Sequence, residues 1–358
     1  MRPLIFVRRS MATAVLALGS IAGVAAHAAG VAHAAGEAPS PVRADPVDQP
    51  ALTEPLAARS LLLDVARAGS RLVAVGERGH VLLSDDSGKT WRQAKSVPTR
   101  AMLTAVTFAD AKTGWAVGHD EVILNTVDGG ETWTRTHYAP EAQQPLLDVW
   151  FADATRGIAV GAYGSYFDTT DGGRHWTSRK FASTPLRKPA PRPAGEQEDV
   201  PPEYHLNKIA AAGARLFIAA EAGQLYRSDD GGTTWLSLPS GYNGSFFGLL
   251  PLSEQQILAF GLRGNLYRTT DGGATWSRVD VATTAMLTDG VRARDGSLAL
   301  VGLSGTVLTA AGGADPGASA SWTLRQQADR KGLSAVLAEH GAGLVVVGED
   351  GTRTVALR

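Results

Sequence analysis

The polar residues that recur at the most regular spacing lie in a turn of the form Ser/Thr-x-Asp-x-Gly-x-Thr-Trp. A carboxylate in such a turn can bind a cation or accept hydrogen bonds from nearby backbone N–H groups. The turns lack the alternating Asp or Asn ligands and the distal Glu of a calcium loop, so we predict an architectural role and no metal. In that role the Asp accepts from N–H groups two and three residues on, the Gly adopts a positive φ, and the Trp covers apolar surface. The five turns contain Asp86 and Trp91, Asp128 and Trp133, Asp171 and Trp176, Asp230 and Trp235, and Asp271 and Trp276, with His175 in place of the Thr in the third.

Residues for catalysis do not form any familiar motif. The chain contains no Cys, no Gly-x-Ser-x-Gly, no His-Glu-x-x-His, no phosphate-binding loop and no dinucleotide fingerprint. The sequence does not exclude a pair of catalytic carboxylates for glycoside hydrolysis, because the chain holds 35 Asp and Glu residues. We therefore expect a protein that is not an enzyme and uses no cofactor. The net charge of −1 also argues against nucleic acid as a partner.

The turns are positioned by a repeat of roughly 43 residues. Successive Trp residues of the repeat, from Trp91 to Trp322, are 42, 43, 59, 41 and 46 residues apart. Each unit reads as four short strands separated by Gly or Asp turns, and such units are typical of propeller blades. The sequence therefore predicts an all-β protein, a seven-bladed β-propeller of four-stranded Asp-box blades over residues 57–358.

The seventh unit has only three evident strands, which begin near Ser334, Leu344 and Thr352. An open blade would expose strand edges, which proteins avoid. We expect the segment around Ala51 to Ala58 to supply the missing outer strand and close the propeller.

The chain begins with the features of a secretory signal. Basic Arg8 and Arg9 precede an apolar stretch from Met11 to about Ala26, and Ala26-His-Ala28 resembles a cleavage site. These features predict a signal peptide at residues 1–28 and an exported, periplasmic mature protein. The alternative is a membrane anchor, for which the stretch is short. Residues 29–56 are rich in Pro and Ala and are predicted to be a linker that includes the possible closing strand.

The repeat resembles that of the Asp-box (BNR) propellers, and most closely that of the Ycf48-type photosystem II assembly factors. The resemblance covers about residues 60–358 and is clearest at Leu103-Thr-Ala-Val-Thr-Phe108, Gly114-Trp-Ala-Val-Gly118 and Val122 to Trp133. It implies a non-enzymatic, monomeric accessory or assembly protein that binds a membrane-protein complex or a transporter. Relatives also occur in non-photosynthetic bacteria, so the partner need not be photosystem II. The alternative is a glycan-binding or sialidase-like Asp-box propeller, although the Arg-Ile-Pro of sialidases is absent.

In propellers of this kind the loops between strands 2 and 3 of each blade lie opposite the Asp turns, and we expect the partner to bind there. A Pro-rich insertion at about residues 183–203, basic and then acidic, should lie on the same face. The resemblance implies an Arg-rich patch in partner binding, for which Arg78 and Arg263 are the nearest candidates. The alternative is that these two arginines are solvated surface residues that bind no partner. The predicted partner-binding residues are Arg78, His119, Asp120, Tyr163, Glu221 and Arg263 in the loops, and Arg187, Lys188 and Arg192 in the insertion.

Overall fold

The structure, a computed structural model, describes residues 49–186, 203–339 and 343–357. Short apolar runs bounded by Gly and Asp turns form its strands, as in Gly157–Gly161, which is buried along its whole length. Such second strands read as continuous apolar runs, because neighbouring blades cover both of their faces.

Seven sheets form the seven blades, which confirms the predicted propeller; their strands pair antiparallel except for the added β13 in blade 4. Blade 1 contains β1 to β4 (Leu62–Ala68, Arg71–Gly76, Val81–Ser84, Arg92–Gln93). Blade 2 contains β5 to β8 (Leu103–Phe108, Gly114–Gly118, Ile123–Thr126, Thr134–His137). Blade 3 contains β9 to β12 (Leu146–Phe151, Gly157–Gly161, Tyr166–Thr169, Thr177–Ser178).

Blade 4 gains a fifth strand, β13 (Thr184–Pro185), which precedes β14 to β17 (Leu206–Ala212, Arg215–Ala220, Leu225–Ser228, Leu236–Leu238). Blade 5 contains β18 to β21 (Phe246–Pro251, Ile257–Gly261, Leu266–Thr269, Ser277–Val279). Blade 6 contains β22 to β25 (Leu287–Arg292, Leu298–Gly302, Thr306–Ala310, Trp322–Gln326). Blade 7 contains β26 to β28 (Leu333–Ala338, Gly343–Gly348, Gly351–Ala356). The short 3-10 helices are Ala57–Arg59, Glu77–Gly79, His119–Glu121, Pro140–Ala142, Ala162–Gly164, Leu262–Gly264 and Ser319–Ser321.

The core consists of apolar clusters between adjacent blades. The first strands contact one another in order around the ring, and β26 of blade 7 contacts β1 of blade 1. The Trp of each Asp turn packs into the cluster shared with the preceding blade, as Trp133 does against Val73 and Leu83 of blade 1. The motif therefore joins neighbouring blades as well as closing its own turn.

The prediction that residues 51–58 supply the outer strand of blade 7 is wrong. Among the described residues blade 7 has three strands, and residues 51–58 belong to none of them. Ala51 donates its N–H to the Val97 carbonyl at 2.9 Å, and Glu54 donates its N–H to the Gln93 side chain at 2.6 Å. The segment thus follows the edge of blade 1, where β4 has only two residues and leaves backbone groups to satisfy. The predicted signal peptide, and residues 29–48 of the predicted linker, lie outside the described residues.

Candidate functional site

The Asp turns use their carboxylates to hold the turn itself. The Asp86 carboxylate accepts the Thr90 hydroxyl at 2.6 Å and the Thr90 N–H at 2.9 Å, and these bonds lower the pKa of Asp86 to about 2. The principal backbone donor is therefore four residues on, further along the chain than predicted. Ser84 donates to Asp86 at 2.8 Å and accepts the Gly88 N–H at 2.9 Å. No group of three or more acidic or His side chains that could hold a metal occurs among the described residues.

The opposite face, which we call the mouth face, is formed by the turns between strands 2 and 3 of the blades. In blades 1 to 6 the first central residue of the turn adopts a positive φ, and in five of these turns a Gly with positive φ follows. Two successive left-handed residues give the type I′ geometry that suits the twist of a two-residue hairpin. These tight turns hold their central side chains in fixed places above the sheets. The non-Gly residues concerned are Arg78, Asp120, Tyr163, Ala222, Arg263 and Ser304, with φ between 51° and 59°.

Two of the predicted residues, Tyr163 and Glu221, meet His205 where blades 3 and 4 adjoin. The Tyr163 and His205 rings make an edge-to-face contact with centroids 4.7 Å apart. Glu221 accepts the His205 N–H at 3.1 Å, and its other oxygen lies 3.4 Å from His205 Nδ1. The carboxylate therefore fixes the His, which in turn supports the Tyr ring.

Exposed apolar side chains also lie on the mouth turns of blades 5 and 6. Tyr163, Leu262 and Leu303 are 55%, 37% and 39% exposed, and Arg263 beside Leu262 is also exposed. Tyr242 donates its hydroxyl to the Leu262 carbonyl at 3.3 Å and so braces that turn. Sequence reasoning missed Leu303, although its place before Ser304 in the repeat could have identified it.

The described ends of the insertion lie along the outer edge of blade 4 and beside the mouth turn of blade 3. Leu186 donates its N–H to the Ser237 carbonyl at 3.0 Å, so the chain runs beside β17 toward the mouth end of blade 4. On return, the Tyr204 carbonyl accepts the Gly164 N–H at 3.0 Å, next to Tyr163. The return end therefore lies on the mouth face, whereas the entry end begins beside Trp235, at the Asp-turn end of blade 4. Arg187, Lys188 and Arg192 lie outside the described residues.

The other predicted loop residues lie on blades 1 and 2. Arg78 is on blade 1, where its guanidinium lies 3.4 Å from the Glu54 carboxylate, whereas Arg263 is on blade 5. The two arginines therefore do not lie on adjacent blades. His119 and Asp120 are on blade 2, and the Asp120 carbonyl accepts the Ala139 N–H at 2.9 Å. Tyr163, Glu221 and Arg263 are the predicted residues on blades 3, 4 and 5, and we call the mouth turns of blades 3 to 6 the mouth sector.

Below the mouth, three aspartates of the innermost strands bond to the next blade. Asp64, Asp148 and Asp289 accept the N–H groups of Val106, Ile209 and Val336 at 2.9, 2.8 and 2.9 Å. An innermost strand has a free edge toward the channel, so its N–H groups need such acceptors. These carboxylates join blade 1 to 2, blade 3 to 4 and blade 6 to 7.

Lys208 provides the positive charge among these carboxylates. Its ammonium lies 3.4 Å from Asp148 and interacts with Asp64 and Asp289 as well. Burial raises the pKa of Asp64 to about 7 although Lys208 acts to lower it, and burial also raises the pKa values of Asp148 and Asp289. The recurring Leu-x-Asp of the first strands was the sequence signal for this group, to which no role had been assigned.

Solved structures with the same fold include members of one family and a propeller of another. The structure "YCF48 bound to D1 peptide" matches with a TM-score of 0.63 and 15% identity over 88% of this chain and 98% of that chain. "YCF48 from Cyanidioschyzon merolae" matches with a TM-score of 0.60 and 17% identity over 83% of this chain and 95% of that chain. The WD40 β-propeller domain of Doa1 matches with a TM-score of 0.60 and 12% identity over 86% of this chain and 95% of that chain. No curated protein matches the chain.

The sequence itself decides the family, because identities this low show the fold alone. The family model described as "Photosynthesis system II assembly factor YCF48" matches residues 93–144 and 137–333, which is more than half of the chain. The chain belongs to the Photosynthesis system II assembly factor YCF48 family.

Proposed function

We propose that this protein is an exported, non-enzymatic accessory factor that binds a segment of a membrane-protein or envelope partner on its mouth face. The observation that carries the proposal is the set of exposed side chains on the mouth sector: Tyr163 on blade 3, Leu262 and Arg263 on blade 5, and Leu303 on blade 6. Exposed apolar side chains rimmed by polar groups mark interaction sites, and aromatic and Arg residues supply most of the energy at such sites.

The rigid turns make this sector suitable for binding. Positive φ at Tyr163 and Arg263 fixes where the side chains leave the backbone, so less conformational entropy is lost when a partner docks. Arg263 forms no ion pair with the described residues, and its guanidinium can pair with a carboxylate of the partner. The structure of a family member with a D1 peptide supports a polypeptide as the partner.

Export is proposed from the N-terminal sequence, with its basic start, apolar stretch and small-residue cleavage site. No helix among the described residues has the length and apolarity needed to cross a bilayer. The partner would supply the membrane anchor in this proposal.

The sector favours a polypeptide over a glycan. A glycosidase mouth would place exposed aromatics around two carboxylates. Among the described residues of this sector, Tyr163 is the most exposed aromatic, and the nearby Glu221 is already bonded to His205.

The test is affinity capture by the tagged mature protein from the membranes of its own cells. The mouth variant combines Tyr163→Ala with Arg263→Glu, and its matched control combines Val127→Ala with Arg174→Glu in exposed positions of the Asp-turn face. We expect the wild type and the control to retain the same membrane protein and the mouth variant to retain at least about tenfold less, since two central contacts are lost. Equal capture by the mouth variant would refute the site. Turnover in a parallel glycoside panel, if abolished by Glu221→Gln, would refute the functional class.

A further inference from the structure

The outer edge of blade 7 differs from the edges of the other six blades. The fourth strands of blades 1 to 6 have two, four, two, three, three and five residues, respectively. In blade 4, β13 covers the outer edge of the fourth strand, β17. Proteins keep free edges short or covered, because an open edge can pair with another chain. β28 has six residues, pairs with β27 without a register shift, and has no strand on its outer side among the described residues.

The register shows which backbone groups of β28 face outward. Gly348 and Gly351 close a two-residue hairpin loop and so form a hydrogen-bonded pair. Bonded and non-bonded pairs alternate along an antiparallel ladder, so Thr352, Thr354 and Ala356 direct their N–H and C=O groups away from β27. No described residue outside the strand ladders bonds to these groups. The edge therefore presents three donors and three acceptors at the spacing of a strand.

The surroundings of this edge favour an acidic ligand. A groove of about 230 Å³ lies between the outer strand of blade 6 and the end of blade 7, lined by Ser297, Thr309, Ser321, Thr323, Arg325 and Leu357. Its hydroxyl groups and the exposed guanidinium of Arg325 suit a carboxylate.

We propose that the outer edge of β28 binds an extended, acidic segment of a partner polypeptide by β-strand addition, with a carboxylate seated beside Arg325. Strand addition gives affinity through backbone bonds and specificity through alternate side chains. This surface lies on the outer edge of blade 7 and does not depend on the mouth-face proposal.

Two other occupants are less suited to this edge. A second copy would bring β28 against β28, and this strand has no acidic residue to place beside Arg325. Residues 29–48 contain Pro39, Pro41 and Pro46, and each Pro removes a backbone donor.

The test uses the mature chain and a fluorescein-labelled peptide of four Val-Glu repeats, with four Val-Lys repeats as the control peptide. Thr354→Pro removes one outward N–H, and Thr354→Ala is the matched control that keeps it; Ala356→Pro repeats the test at the next outward position. We expect anisotropy to show Val-Glu binding by the wild type and Thr354→Ala, and about tenfold weaker binding by each Pro variant. Arg325→Ser should weaken Val-Glu binding several-fold and reduce the preference over Val-Lys. Circular dichroism confirms that each variant is folded.

Hydrogen exchange of the free chain identifies any other occupant. We expect the amides of Thr352, Thr354 and Ala356 to exchange faster than those of Arg353 and Val355, and to slow when the Val-Glu peptide binds. Protection of these three amides from exchange in the absence of peptide would overturn the proposal. Protection that grows with protein concentration would identify a second copy as the occupant, and protection independent of concentration would identify residues 29–48. Absence of binding by the wild type, or unchanged binding by both Pro variants, would also overturn it.

Discussion

Lys208→Met removes the cation that lies among the buried carboxylates of the channel. The Lys208 side chain is 28% exposed, and Met fills a similar volume, so the main loss is electrostatic. Removing one partner of a buried ion pair typically costs about 3–5 kcal/mol, because the remaining charge is left uncompensated. We expect that loss in the free energy of unfolding at pH 8, where the aspartates must ionise.

The cost should depend on pH. The pKa of Asp64 is about 7 in the folded chain, whereas its ordinary pKa is 3.8. Between these two pH values the folded chain binds the proton more tightly than the unfolded chain, so the free energy of unfolding falls as the pH rises. Without Lys208 the three carboxylates hold their protons to still higher pH, and the difference between variant and wild type widens toward pH 8. At pH 5 the carboxyls can be neutral, and the loss should shrink below about 1.5 kcal/mol, the usual cost of a volume-conserving change.

The assay is urea unfolding followed by Trp fluorescence at pH 5 and pH 8. Lys95→Met is the control, because Lys95 is 72% exposed and a surface pair contributes about 0–1 kcal/mol. A destabilisation of Lys208→Met that is equal at both pH values, or larger at pH 5, would refute the electrostatic account of the channel.

Two further predictions concern the Asp turns. Trp133→Ala should cost about 3–5 kcal/mol in the free energy of unfolding, because the ring is buried between blades 1 and 2 and its N–H bonds to Gly130, whereas Trp176→Ala should cost less since Trp176 is half-buried. Thr126→Val should cost about 1–3 kcal/mol, because it leaves the buried Gly130 N–H without its acceptor. Thr134→Val, at an exposed strand position, should be nearly neutral. Urea unfolding checks each prediction, and a Thr126→Val chain as stable as Thr134→Val would contradict the role given to the hydroxyl.

The blades could be predicted because their signals are local and repeated. A Gly or Asp turn, a short apolar run and the Trp of an Asp turn recur within each unit, so the errors of single positions cancel. The path of residues 51–58 could not be predicted in this way. It depends on contacts with two blades, because Ala51 and Glu54 bond to blade 1 whereas Ala57–Arg59 contacts β28 of blade 7.

The channel and the mouth sector depend on contacts between blades. Asp64 bonds to a residue 42 positions away and Asp148 to one 61 positions away, distances at which composition and periodicity carry no signal. Loop positions on the mouth face followed from the blade order. Which of them share a sector depended on the arrangement around the ring, which separates Arg78 from Arg263 and brings Tyr163 beside His205.

Partner binding at the mouth face is the central claim, and site-specific photo-crosslinking tests it most directly. A photoreactive phenylalanine derivative would replace Tyr163 on the mouth face or Val127 on the Asp-turn face, both exposed, in living cells. We expect the chain with the photoreactive residue at position 163 to form one crosslinked adduct with a membrane protein, and the chain with it at position 127 to form none. Adducts of equal yield from both positions, or none from position 163, would contradict the claim.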